Sequence, residues 1–270
     1  MLIILAVVAG SLIGLSLGAL GGGGSILAVP VLVYLLGQSA AQATTGSLVV
    51  VGVTSVIGAV TAYRAGNVLA GRGIAFGVTA IGGAVVGGRA STLVPDTVLM
   101  GAFALLMVVV GGLMAWRQLR HPRRLADRPV LDDPIITFTP AFACACPRAL
   151  KVLVTATFVG LLTGFLGVGG GFLVVPSLVV ALALPIRYAA GTSLVVIAIT
   201  STAALAVRAG SGASPAWGAV LMLTVVSALA AVAGAHVATR VKSVHLSAAF
   251  TVLVLGVAAY TAARSVPALL

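Results

Sequence analysis

The stretch Gly18-Ala19-Leu20-Gly21-Gly22-Gly23-Gly24-Ser25-Ile26-Leu27-Ala28-Val29-Pro30 returns as Gly164-Phe165-Leu166-Gly167-Val168-Gly169-Gly170-Gly171-Phe172-Leu173-Val174-Val175-Pro176, 146 residues later (176 minus 30). At the same offset Gly14-Leu15 meets Gly160-Leu161, and Ser47-Leu48-Val49-Val50 meets Ser193-Leu194-Val195-Val196. With one added residue, Phe103 meets Phe250 and Arg117 meets Arg264. The chain is therefore two copies of one unit. Each copy interrupts a long apolar segment with glycines, the pattern of membrane folds that form a site between repeats.

Composition places these copies in a bilayer. The 270 residues are 61% hydrophobic and 7% charged, with a mean hydropathy of +1.26. So few charges cannot cover a soluble protein of this size. The apolar runs are long enough to cross a bilayer as helices and do not alternate as barrel strands do. The net charge of +11 does not signal nucleic acid. Arg117, Arg120, Arg123, Arg124, Arg128, Arg148 and Lys151 cluster in or beside one central stretch, as positive-inside bias dictates. There is no Glu, and the acids are Asp96, Asp127, Asp132 and Asp133, none inside an apolar run. A carboxylate relay within the membrane is thereby excluded.

The expected fold is an all-α polytopic membrane protein of about eight transmembrane segments arranged as two four-segment repeats. Apolar segments run over about 1–36, 43–63, 73–94, 97–116, 150–184, 189–207, 216–239 and 246–263. The first transmembrane repeat covers 1–117, a cytoplasmic linker 118–149, and the second repeat 150–270, with both repeats forming one transport domain. Met1 to Leu20 lacks a charged leader and aligns with Lys151 to Leu166, so it is read as a retained helix. Trp116 and Trp217 fall at segment ends, as interfacial aromatics do.

About 35 residues in one helix would span ~50 Å against a hydrocarbon core of ~30 Å. The first segment of each repeat must therefore be a tilted, broken helix or a hairpin of two half-helices. Both place irregular backbone at membrane depth, where it needs protein or a cavity beside it. Hairpins make the repeats inverted, and the swapped basic loops, 64–72 in one copy and 240–245 in the other, favour that arrangement with both termini on the periplasmic side.

A glycine run opening a helix exposes backbone N–H groups that attract anions. Gly22, Gly23 and Gly24 would admit an anion, with Ser25 as the N-cap of a helix through Leu36; Gly169, Gly170 and Gly171 are the counterparts. Close helix packing competes as an explanation for the glycines. Thr44, Thr45, Gly46 and Ser47 open the next helix, and Gly191, Thr192 and Ser193 do so in the second copy. Their hydroxyls suit a bound oxyanion or ordinary capping. The candidate substrate-binding set is Gly22, Gly23, Gly24, Ser25, Thr45, Ser47, Gly169, Gly170, Gly171, Thr192 and Ser193. Gln38, Gln42 and Asn67 read as solvated loop positions, and Arg89 and His236 as snorkelling residues. Cys144-Ala145-Cys146 supplies only half a zinc shell with no adjacent His. No His-Glu-x-x-His, Gly-x-Ser-x-Gly or carboxylate pair is present. The expectation is thus no enzyme, no metal and no cofactor.

These motifs resemble the TauE/SafE family, the sulfite-exporter-like or toluene sulfonate uptake permeases. The carriers are Gly21 to Ser25 through Val29-Pro30 with Gly46-Ser47, and Gly167 to Gly171 through Val175-Pro176 with Gly191-Thr192-Ser193. The resemblance covers nearly the whole chain and implies a multi-pass permease of the bacterial cytoplasmic membrane that moves sulfite-like oxyanions or organosulfonates. The expected partners are a small anion and the lipid bilayer, with no nucleic acid; the chain could also self-associate as a homo-oligomer. A permease for another metabolite or ion, or a non-transporting membrane assembly protein, are the alternatives.

Overall fold

The computed structural model describes residues 2–120, 146–167, 170–182, 184–208, 215–241 and 243–265. Their regular structure is entirely helical. The helices are α1 (Leu2–Leu20), α2 (Gly23–Pro30), continued as a π-helical turn over Val31–Leu35, α3 (Ala40–Arg64), α4 (Ala70–Ser91), α5 (Asp96–Arg120), α6 (Cys146–Leu166), α7 (Gly171–Ala181), α8 (Ile186–Arg208), α9 (Trp217–Arg240) and α10 (Ser243–Ser265). Four of them, α3, α4, α8 and most of α9, are long and apolar enough to cross a membrane. Residues 121–145, with Cys144 and most of the expected linker, lie outside the described residues.

Each expected first segment is two helices joined at its glycines. Gly21 has φ of +74°, and Gly167 and Gly170 have +64° and +61°. This left-handed backbone costs glycine little and most other residues much more. The turn folds α2 back on α1, so that a side chain on Gly24 would collide with the Ile13 carbonyl and meet Leu17. Beyond Pro30, which lacks an N–H, the helix widens, and Leu36 N–H donates to the Val31 carbonyl at 3.2 Å. Pro176 in α7 is instead carried within a continuous α-helix to Ala181.

The halves interlock by exchange. α1 packs along α9 and α6 along α4, so the first helix of each half lies on the fourth helix of the other. The contact is backbone on backbone: a side chain at Gly14 would run into the Ser227 carbonyl, and one at Gly160 into that of Ala80. Such stripped faces let membrane helices approach closely. Successive approaches on α1 (Gly10, Gly14, Gly18) meet rising positions on α9 (Val226, Ala230, Ala231), so these helices run in the same direction. In contrast, Gly52 faces Ser201 and Gly58 faces Leu194, so α3 and α8 run in opposite directions. Phe103 and Phe172 meet edge to face at 6.4 Å within the core. Leu105, Leu229 and Val252 point outward, each about 70% exposed, as lipid-facing residues do.

Candidate functional site

The two glycine turns meet the opposite half reciprocally. Gly21 lies against the backbone of Ala190, and Gly167 against Thr44, its exact counterpart at the repeat offset. Between them the N-terminal ends of α2 and α7 converge. A side chain on Gly22 would strike the Gly171 carbonyl, and Ser25 Oγ lies 2.8 Å from where a Gly171 side chain would begin. Both helix starts carry positive partial charge, so bringing them together favours negative charge nearby.

The structure corrects the local roles read from sequence. Ser25 is not an N-cap. Gly22 holds that position with no side-chain bond, and Ser25 Oγ donates to the Gly22 carbonyl at 2.7 Å. Thr44 to Ser47 do not open α3. Ser39 caps it in a reciprocal box with Gln42, each side chain accepting from the other residue's backbone N–H. Likewise α8 begins at Ile186, a turn and a half before Gly191. Gln42 is thus a capping residue, and Gln38, read as solvated, is 7% exposed.

The predicted residues fall into two groups. Gly22, Gly23, Gly24, Ser25, Gly170 and Gly171 belong to the converging turns, whereas Gly169 lies outside the described residues. Ser47 joins this group from α3 by donating to the Gly167 carbonyl. Thr45 Oγ1 returns to the Ala41 carbonyl at 3.0 Å, and Ser193 Oγ to that of Ala190 at 2.7 Å. Thr192 Oγ1 accepts from Leu69 N–H at 3.0 Å, tying α8 to the loop before α4. Farther along the antiparallel α3 and α8, Thr54, Ser55 and Ser201 bury hydroxyls that have no hydrogen-bond partner among the described residues. Ser55 and Ser201 are counterparts in the repeat.

Sequence reasoning passed over Arg208. It is the last residue of α8 and only 5% exposed. Its Nη1 donates to Thr44 Oγ1 at 2.7 Å and its Nη2 to Ser91 Oγ at 2.6 Å. Nη2 also reaches the Gly164 and Phe165 carbonyls at 3.2 and 3.4 Å. Thr44 and Ser91 send their own protons to the Ala41 and Gly88 carbonyls, so their lone pairs face the guanidinium. The two carbonyls belong to the last turn of α6, the negative end of its dipole. The arginine therefore fastens α3, α4 and α6 beside the second glycine turn through neutral groups. The repeat did carry a signal: at the offset of 146 Arg208 falls opposite Ala62, inside a helix. Among the described residues no three His, Cys, Asp or Glu side chains gather as metal ligands.

The family model of the sulfite exporter TauE/SafE matches residues 6–261. A probable membrane transporter protein of Xylella fastidiosa strain Temecula1 is 31% identical over 196 residues, covering 72% of this chain and 69% of the relative. Its counterpart in strain 9a5c is 30% identical over the same shares. No solved structure matches. With its apolar helices, the protein is a multi-pass membrane transporter and not an enzyme. The chain belongs to the sulfite exporter TauE/SafE family.

Proposed function

We propose that this permease moves a small anion, a sulfur oxyanion or organosulfonate, across the bacterial cytoplasmic membrane. The observation that carries the reading is the meeting of the α2 and α7 starts at Gly22 and Gly171. Two positive helix ends held together are stabilised by an anion between them. The buried Arg208 guanidinium, bound to hydroxyls and carbonyls, adds positive potential on the same side of the second turn. A charge so placed within a membrane protein commonly serves transport. The hydroxyls of Thr54, Ser55 and Ser201 offer hydrogen bonds along the α3–α8 seam to a solute that has left water.

The same reading makes the repeats inverted, with eight membrane segments when each hairpin counts as one. The opposite directions of α3 and α8 support this, because repeats of equal orientation would keep those counterparts parallel. Following the chain from there, α5 ends and α6 begins on one side, and both termini lie on the other. Of the basic residues on the described helices, Arg64, Arg72, Arg117, Arg120, Arg148, Lys151, Arg187 and Arg240 then fall on the linker side against Arg89, Arg208 and Arg264 on the other, which supports a cytoplasmic linker.

The test is flux into proteoliposomes of purified protein, offered sulfite, sulfate, sulfoacetate, chloride and a neutral sugar, under a potassium–valinomycin voltage clamp at equal pH. Saturable sulfite or sulfonate flux that follows voltage is expected, since one charge gains ~2.3 kcal/mol per 100 mV. Flux of the neutral solute alone, or none above empty vesicles, contradicts the anion reading.

A further inference from the structure

The nest around Arg208 has a counterpart in the other half that keeps its backbone and loses its polar side chains. At the offset of 146, Gly164, Phe165, Thr44 and Arg208 correspond to Gly18, Ala19, Ala190 and Ala62; with the one added residue, Ser91 corresponds to Ala238. All five counterparts line one cavity of about 30 Å³. The space that the arginine and its two hydroxyls fill in one half is left open by three alanines in the other. Its polar lining comes from residues the repeat does not share: Asn67, and Arg187 near the start of α8. Thus α8 brings an arginine to each of its ends, one filling its nest and one bordering a cavity.

We infer that this cavity is a second small-anion station, on the linker side, with Arg187 as its cation. The inference rests on the anion reading above. The volume holds about two water molecules, a size for a compact oxyanion group and not for a sugar. The walls are mostly small apolar side chains, and one guanidinium recognises an oxyanion in a forked geometry. A wider groove of about 360 Å³ adjoins the cavity, sharing Ala65 and Ala235 and carrying Arg64 and His236. Its arginine adds positive potential that concentrates anions at the entrance. An anion entering from the linker side then meets Arg187 first, the converging helix starts next and Arg208 last.

The test measures binding of radiolabelled sulfite to the purified full-length protein in detergent. Ala62→Met should fold, because the corresponding position already accommodates the straight stem of Arg208, and it fills the cavity while leaving the Arg187 side chain itself unchanged. The wild type is expected to bind two sulfites per chain at saturation, and Ala62→Met and Arg187→Gln one each, with Arg187→Lys recovering part of the second. The half-saturating sulfite concentration for flux should rise at least fivefold in Ala62→Met. One sulfite per wild-type chain, or two retained by a monodisperse Ala62→Met protein, overturns the second station. A wild type that neither binds nor moves sulfite or any other anion overturns the anion reading itself.

Discussion

Replacing Arg208 with Met should separate transport from stability. The substitution removes two short bonds to hydroxyls, at 2.7 and 2.6 Å, and two longer ones to carbonyls. Polar contacts between membrane helices average ~0.6 kcal/mol and reach ~1.7, so the two hydroxyl bonds together represent about 1–3 kcal/mol. Neither hydroxyl is orphaned, because Thr44 still donates to Ala41 and Ser91 to Gly88. Against this stands the desolvation of a buried guanidinium, several kcal/mol, which the variant recovers. The balance is a change within about 2 kcal/mol in either direction. Arg208→Lys keeps the burial cost but loses the fork, so it should melt below Arg208→Met. Transport should fall at least tenfold in both, equivalent to ~1.4 kcal/mol or more in the barrier. Melting followed by Trp fluorescence in detergent and sulfite flux in proteoliposomes read the two effects. An Arg208→Met protein that unfolds, or one with wild-type flux, refutes the reasoning.

Gly23→Ala should fold and slow flux, since the nearest atoms to its methyl are side-chain carbons of Leu20 and Leu253 and not backbone, whereas Gly24→Val should elute as aggregate because Ile13 and Leu17 leave no room; size-exclusion profiles decide between them. Gly160→Val should lower stability by ~3 kcal/mol or more through overpacking against α4, measured by thermal melting. Thr192→Val should cost about 1–3 kcal/mol by leaving Leu69 N–H without its acceptor, again by melting. After Cys144 and Cys146 are replaced, cysteines at Arg64 and Arg124 should label from one side and a cysteine at Ala216 from the other; labelling of Arg64 and Ala216 positions from the same side contradicts inverted repeats.

The helical class and the breaks at the glycines were legible because each rests on local pattern: a positive-φ turn needs glycine, and an apolar run needs a bilayer. The true helix starts were not, because Ser39 with Gln42 makes a stronger cap than Thr44 or Thr45, and the apolar pattern begins only after that first turn. Ser25 misled for a similar reason: hydroxyls cap helices, yet here the glycine ahead of it makes the turn and the hydroxyl bonds back to that glycine. The glycines proved to serve two ends at once. Gly22 and Gly171 bring helix starts together, while Gly14 and Gly160 bring whole helices together, and spacing alone does not tell these apart. Arg208 was hidden by position, since an arginine at the end of an apolar run looks solvated until the helices from the other half close over it.

The exchange of first helices has a consequence for how the chain is made. The Ser227 hydroxyl that bonds the Gly10 carbonyl lies 217 residues downstream. At roughly 5–20 residues per second, synthesis takes ~10–40 s to deliver α9 after α1 has left the ribosome. Throughout that interval the glycine face of α1 lacks its partner and rests against lipid or an insertion factor. Neither half can mature by itself, so nascent chains truncated before α9 should be substrates for membrane quality-control proteases, whereas separately expressed halves can rescue one another by supplying the missing helix in trans.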